Sequence, residues 1–486
     1  MDNSEINFDP VITSTGTAVD GGSDMVDERL GLLRETVAEL SEAEGRAQVA
    51  DQEVTEMLEL RDEFLGQTEH VIYGGAAINA HLPEGKKIYD YSVEIPDYDA
   101  MVADAWSKAQ AFADILHANG IPRVEARPGF TEGTYKVFGN GISILDLHET
   151  NPSWLSYLAQ HHSLKVGSLC FAGLMYLRMS MYQELATTKG DKTRWEKVFQ
   201  RLQLLNDEFP YAHESVDSTV SPLVEASHTK QLQLAAAMKL VKRSTMVLTG
   251  LSSVVLRELT EEFANDKDLL RLRVDSRPGT ADIDVLSDDP AAHVRQLVSA
   301  ISKASENPIG VDKLPGSEHT PFFSGSNMYV ILDKTTGERL VNVVEIDWTC
   351  MSYNDLRGYR VASLSTLFVF LLSLFFDPRV KNVIGLPRLH LLIETLLKYN
   401  ADQVEELIAP TCYGKQDVDK NSLLRKRWDA VHPSGASRAP GQSIERPYVP
   451  SAMPAMSAPL RVPARAGDAS EILEARLSLG YQMQRY

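Results

Sequence analysis

Three aspartates and a glycine pair are the residues best placed to do chemistry in this 486-residue chain. The stretch runs from Val71 through Gly74-Gly75 to Pro96-Asp97-Tyr98-Asp99. An apolar strand over His70–Tyr73 leads into the glycines, and a helical segment follows them. Glycines at such a junction let backbone N–H groups approach a phosphate, and the helix N-terminus adds a partial positive charge. On a strand, residues i and i+2 face one side, so Asp97 and Asp99 project together. Paired carboxylates repel each other unless a cation lies between them, and hard divalent cations prefer oxygen ligands. Asp146 sits in the apolar strand Ile144-Leu145-Asp146-Leu147-His148. An acid there is costly unless it is paired or bound to metal. Together these parts make up a two-metal phosphoryl-transfer site.

The elements that must hold these residues follow from the hydrophobic pattern. Runs HVIY, TYKVF and ISILDL read as strands, with a helix over about Met101 to Asn119, stopped by Gly120 and Pro122. Residues 152–205 read as helices. A second α/β block begins near residue 246 with MVLTGLSSVVL and continues through ADIDVLS, MYVILD and VNVVEID. Residues 360–400 read as helical again. Leu30, Leu33, Val37 and Leu40 recur at helical spacing, as do Val54, Leu58 and Phe64. Glu44, Asp51 and Gly45 interrupt the pattern, which favours two acidic amphipathic helices over one long coiled coil.

At the glycine pair and the aspartates the sequence resembles the DNA polymerase beta-like nucleotidyltransferase superfamily. More narrowly, it is similar to the poly(A) polymerase catalytic subunits of large cytoplasmic DNA viruses and giant viruses. That narrower resemblance rests on the 21 residues between Gly75 and Asp97, filled by AIN-x-x-LP, YD and PDYD, and on GTYKVF and GDKTRWEKVFQRLQLLN. It covers about residues 70–210 well. The resemblance implies that Asp97 and Asp99 bind two Mg²⁺ or Mn²⁺ ions and that Asp146 completes the site of the ion activating the RNA 3′-hydroxyl. It implies that Gly74 and Gly75 hold the phosphates of ATP, with Lys136 and Arg194 as candidates for phosphate or RNA contacts. The implied reaction is template-independent adenylate addition to RNA 3′ ends, with pyrophosphate leaving. A homodimer, and a location in the virion and host cytoplasm (the viral factory), are implied as well.

The second block repeats the order of the first. Thr249-Gly250-Leu251 follows a strand, Asp282-Ile283-Asp284 supplies a D-x-D, and Glu345-Ile346-Asp347 ends a later strand. The glycine pair is reduced to one. The expected fold class is α/β (α+β): two tandem nucleotidyltransferase-like domains, the first active and the second degenerate, with a helical N-terminal segment and disordered tails. Expected boundaries are an acidic tail over 1–25, acidic helices over 26–69, the catalytic domain over 70–210, the degenerate domain with its helices over 211–430, and a Pro/Ala-rich linker and tail over 431–486.

Net charge qualifies this reading. The chain carries −19, which argues against a polyanionic partner. Residues 1–70, however, hold 18 Asp and Glu and four Arg, or −14, leaving −19 + 14 = −5 for the other 416 residues. A positive RNA-tracking surface is expected from Arg178, Lys189, Lys192, Arg194, Lys197 and Arg201, with Lys239, Lys242 and Arg243 as a second group. Cys170, Cys350 and Cys412 lie far apart, which excludes a disulfide framework and a zinc ribbon and fits a reducing compartment. No signal peptide is visible, and Leu364 to Phe376 is too short to span a bilayer, so a soluble intracellular protein is expected.

Blander readings stand beside these. Lys136 alternates with Tyr135 and Val137 and fits a solvent face. Arg194 fits a helix-surface pair with Glu196 or Asp191. His148 fits a site edge, His161-His162 a surface pair, and Trp195 the core. The acidic leader fits a solvated face. Transfer of another nucleotide, transfer to a protein acceptor, and a non-catalytic RNA-binding scaffold remain alternatives.

Overall fold

Short β-branched and aromatic runs, punctuated by glycine and proline, build two sheets of one topology. The computed structural model describes residues 23–129, 133–186, 192–211, 227–258, 282–314, 327–346, 351–376, 389–390, 392–394, 396–397, 407, 411–413 and 447–450. Most of the expected tails, 1–22 and 451–486, lie outside these, as does Asp347.

The chain separates into two compact units. One takes the described part of Met1–Thr55 with Asp90–Ile95, the other Glu56–Tyr89 with Pro96–Tyr486. In the first, α1 (Ser23–Val49) leaves Leu30, Leu32, Leu33, Val37 and Leu40 exposed. Gly45 sits mid-helix because a Cβ there would overlap the Val93 carbonyl oxygen. A second helix, α2 (Gln52–Gly66), starts where Asp51 accepts a hydrogen bond from the Glu53 N–H at 2.8 Å. Two helices therefore form, as the interrupted apolar pattern predicts.

The second unit holds both sheets. Its first half runs β1 (Val71–Tyr73), α3 (Gly74–His81), β2 (Tyr98–Val102), α4 (Ala105–Ala118), β3 (Glu125–Pro128), β4 (Thr134–Gly139), β5 (Ile142–Glu149), α5 (Pro152–His161), β6 (Ser163–Val166), β7 (Leu169–Ala172), α6 (Leu174–Ala186) and α7 (Lys192–Glu208). The strand order is β3-β4-β5-β2-β1-β7-β6. Ala109, Phe112, Ala113 and Leu116 form the buried stripe of α4. Asn151 starts α5 by accepting from the Ser153 N–H at 2.8 Å, with Pro152 in the first turn. The β6–β7 hairpin corrects the expectation that 152–205 is all helical. Its four-residue strands reverse around Gly167, whose φ is 60°.

The second half runs α8 (His228–Val241), β8 (Val247–Thr249), α9 (Gly250–Glu258), β9 (Ile283–Ser287), α10 (Pro290–Ser302), β10 (Ile309–Leu314), β11 (Met328–Asp333), β12 (Arg339–Glu345), β13 (Met351–Leu356), β14 (Tyr359–Ala362), α11 (Leu364–Phe376) and β15 (Thr411–Tyr413). Its order, β10-β11-β12-β9-β8-β14-β13-β15, repeats the first sheet strand for strand and adds β15 at one edge. Parallel and antiparallel pairings correspond as well. β1–β7 and β8–β14 are parallel, and β1–β2 and β8–β9 are antiparallel. The tandem architecture expected from the sequence is therefore present.

The halves meet through equivalent helices, α6 and α11. Tyr182 stacks on Phe368 with ring centroids 4.2 Å apart, and Trp154 and His162 pack edge-on against Phe376. Most of the apolar run Leu364–Phe376 is buried, as a core helix. Among the described residues no helix is long and apolar enough to cross a membrane. One segment of the expected linker is structured: Tyr448 exchanges backbone hydrogen bonds with Ala126 of β3 at 2.7 and 2.9 Å, and its hydroxyl donates to Asp114 at 2.7 Å. A bare sheet edge is thereby partly covered.

Candidate active site

β1, β2 and β5 lie side by side, and their register gathers the singled-out residues. Tyr73, the residue before Gly74, faces Asp99 across β1 and β2, and Asp99 faces Asp146 across the parallel pair β2 and β5. Asp97 lies one residue ahead of β2, after Pro96, which has no N–H to give a ladder. The three acids feel one another. Desolvation, then repulsion from Asp146 and Asp99, raises the Asp97 carboxyl above its ordinary value. Desolvation raises Asp146 as well, with Lys136 opposing the shift and Asp99 adding to it.

Gly74 has φ of 69°, and a Cβ on it would lie 3.1 Å from Asp99 Oδ2. α3 begins there with no side-chain cap, since Tyr73 at the cap position provides none. The cap-position side chain therefore leaves its first N–H groups to other partners, next to the Asp99 carboxylate. At Gly75 a Cβ would overlap the Tyr89 hydroxyl and ring. Asn79 fixes that tyrosine by accepting from the Ile88 and Tyr89 N–H groups at 2.8 and 3.1 Å. Arg201 in turn donates to the Tyr89 hydroxyl.

Lys136 and Arg194 are both near the acids and both engaged. Lys136 stands opposite Asp146 on β4 and forms an ion pair with Asp146 Oδ2. Desolvation works against its charge, but Asp146 outweighs this and holds the ammonium above its ordinary value. Arg194 pairs with Glu184, a partner on α6 that the local sequence did not suggest. Glu184 first, and then Asp99 and Tyr73, raise its guanidinium.

His148 edges the site, as expected. Its Nε2 lies 3.5 Å from Asp99 Oδ1, and its Nδ1 pairs with the Thr134 hydroxyl at 2.9 Å. His162 is not a surface histidine: it contacts Phe376 and pairs with the Tyr157 hydroxyl.

Arg61, on α2, escaped the sequence reading. Only 2% exposed, its guanidinium donates to the Pro96 carbonyl at 2.8 Å, pairs with Asp62 and lies 3.6 Å from the Tyr98 ring centre. It thus touches the residues on either side of Asp97, Pro96 at its carbonyl and Tyr98 at its ring. A buried-arginine signal cannot be read from one sequence, because Arg61 stands at an ordinary helix position.

The expected basic surface loses a member. Arg178 is buried and donates to Asn206 Oδ1 at 2.8 Å and to the Phe209 carbonyl. Lys189 and the Lys192 side chain lie outside the described residues. Lys197, Lys239, Lys242 and Arg243 are exposed.

The second sheet keeps the layout but not the third acid. Thr249 faces Asp284, and Asp284 faces Asn342. The equivalent of Asp146 is therefore Asn342, and Glu345, at the end of the same strand, does not hold that position. Glu345 faces Ser287 and accepts from Asn327. A Cβ on Gly250 would overlap the Asp284 carboxylate, so this cradle is filled.

Burial first, and then Asp282, raise the Asp284 carboxyl to about 7 from an ordinary 3.8, while a hydrogen bond from Asn342 opposes the shift. A raised carboxyl pKa means stability that is whole below pH 4 and is lost as pH climbs through 7. Between pH 4 and 8 the folded protein should lose up to about 4 kcal/mol through this group. Asp284→Asn should remove that component of the slope, as read from urea midpoints at each pH.

Residues 59–191 match the poly(A) polymerase catalytic subunit family. The matched segment spans the whole first sheet, the same stretch that carries the motif spacing. The chain is also similar to the crystal structure of the Megavirus polyadenylate synthase, with a TM-score of 0.65 and 17% identity, over 87% of this chain and 85% of that one. That likeness extends the shared fold through both halves. No curated protein matches.

The acids fit divalent cations in their chemistry, being oxygen-only donors that repel one another. Among the described residues, however, no three His, Cys, Asp or Glu side chains form a ready cation cage. Lys136 stands against Asp146 instead.

Proposed function

We propose that this chain extends RNA 3′ ends with adenylate from ATP, without a template. The observation carrying this reading is the family match over the segment that contains Gly74, Gly75, Asp97, Asp99 and Asp146. Asp97, Asp99 and Asp146 would hold two divalent cations, Mg²⁺ or Mn²⁺. Bound there, such ions neutralise charge at the phosphorus and activate the attacking hydroxyl. The uncapped N–H groups at Gly74 and Gly75 would receive the ATP phosphates, aided by the start of α3. His148, held by Thr134, orients Asp99. Arg61 holds the Pro96–Tyr98 backbone so that Asp97 faces its partners. Arg194 reaches phosphate only after leaving Glu184. The reading carries with it a homodimer acting in the viral factory and virion.

Comparing the four nucleoside triphosphates on an oligo(A) RNA tests the adenylate assignment. ATP should be used at least about tenfold faster than UTP, CTP or GTP, a difference of about 1.4 kcal/mol at the transition state. Equal use of all four, or labelling of protein with no RNA extension, would overturn it.

A further inference from the structure

We infer that Lys136 is the built-in counter-cation of the acidic site, holding Asp146 in the absence of a divalent ion and competing with that ion for the carboxylate. The inference rests on the proposed reading of Asp97, Asp99 and Asp146 as cation ligands.

Three observations support it. Asp146 sits between opposite influences, with the Asp99 carboxylate facing it from β2 and the Lys136 ammonium from β4. Its two oxygens are both engaged. Lys136 pairs with Oδ2, and the Ser143 hydroxyl lies 3.4 Å from Oδ1. An entering cation therefore competes with the lysine ammonium for this carboxylate. The lysine can leave easily: its side chain is 37% exposed, against 7% for Asp146. An ammonium on a flexible four-carbon stem can swing into water without moving its strand.

The third observation comes from the second sheet, which repeats the register. Val330 there faces Asn342, as Lys136 faces Asp146. Acid and ammonium are lost together. A lysine that merely lined a solvent face would not have to follow its neighbour. A lysine that balances a carboxylate has no purpose beside an amide. Three gathered carboxylates repel one another, and a nearby ammonium offsets that repulsion. Lys136 therefore keeps the cation-free site assembled, and the entering cation replaces it.

Direct Mn²⁺ binding to the full-length chain, without ATP or RNA, tests this by electron paramagnetic resonance of the free ion. Lys136→Met should bind Mn²⁺ about tenfold more tightly than wild type, since a competing unit charge near the ion is removed. Lys136→Arg keeps the charge and should bind as wild type does. Adding Asp146→Asn to wild type and to Lys136→Met should abolish the difference between them. If Lys136→Met does not fold, Lys136→Gln replaces it, with the same tightening expected. Unchanged or weaker Mn²⁺ binding in the uncharged variants, with Asp97-dependent binding intact, would overturn the inference alone. Mn²⁺ binding that ignores Asp97→Ala in every variant would overturn the cation reading beneath it.

Discussion

Asp146→Asn should abolish RNA extension, lowering the single-turnover rate by about 1,000-fold or more. Charge stabilisation by a bound cation is worth several kcal/mol at a phosphoryl transition state, and each ~1.4 kcal/mol is a factor of ten. An amide cannot replace the charge that draws the cation. The fold should survive. Asp146 is buried and its carboxyl is already raised by desolvation, so a neutral residue of equal size is tolerated there. Lys136 would lose its partner, but with 37% of its side chain exposed it can turn to water. The second half already carries this substitution: Asn342 occupies the same register position and donates to Asp284 at 2.9 Å. The matching change there, Asp284→Asn, should leave the extension rate within about twofold of wild type, well under 1 kcal/mol. Loss of extension in both variants would mean that the two halves share the chemistry.

Arg61→Met should cost about 3 kcal/mol of stability, the usual range when one partner of a buried charged pair is removed. The Pro96 carbonyl loses its donor, Asp62 loses its counter-charge, and the Tyr98 face loses a desolvated cation worth about 2 kcal/mol. Denaturant midpoints followed by circular dichroism would register this. The extension rate should fall about tenfold under conditions where the variant remains folded, because misplacing a reacting group by about 1 Å already costs one to two decades. The KM for ATP should change less than kcat, since Arg61 holds the segment bearing Asp97 and touches no proposed nucleotide contact. Lysine should not rescue the variant, because stacking and the forked donors belong to a planar guanidinium. A stability loss with an unaltered rate would leave Arg61 as a fold residue only.

The parts legible in the sequence were those with a short-range signature. Gly74 and Gly75 mark a strand-to-helix junction, and the structure places α3 directly after β1 with a positive φ at Gly74. Asp146 announced itself as a lone acid among Ile144, Leu145 and Leu147, all buried. The tandem order was legible because strand and D-x-D recur along the chain. What failed depended on pairing. Acids cluster near the end of β12, yet strand register puts Asn342 at the third position of the second site, and an asparagine gives no hint of its place beside an aspartate. The hairpin of β6 and β7 was lost between two amphipathic helices because four-residue strands carry too little period to outweigh their flanks. Charge alone places Arg178 on a positive surface, while its partners Asn206 and Phe209 hold it in the interior. Arg61 and the Tyr448 bridge arise from contacts across long separations, which periodicity does not record.

The chain's acidity is reconciled on similar grounds. Most of the −19 lies in the first 70 residues, and some of the remainder is the carboxylate cluster proposed to bind cations. A bulk charge is thus a poor guide to the surface that meets RNA.

The central claim is tested most directly by incubating the full-length chain with a 3′-hydroxyl oligo(A) RNA and ATP, with Mg²⁺ or Mn²⁺ and with a chelator. A ladder of longer RNA with either ion, and none with the chelator, is the predicted result. No extension under both ions would contradict the account.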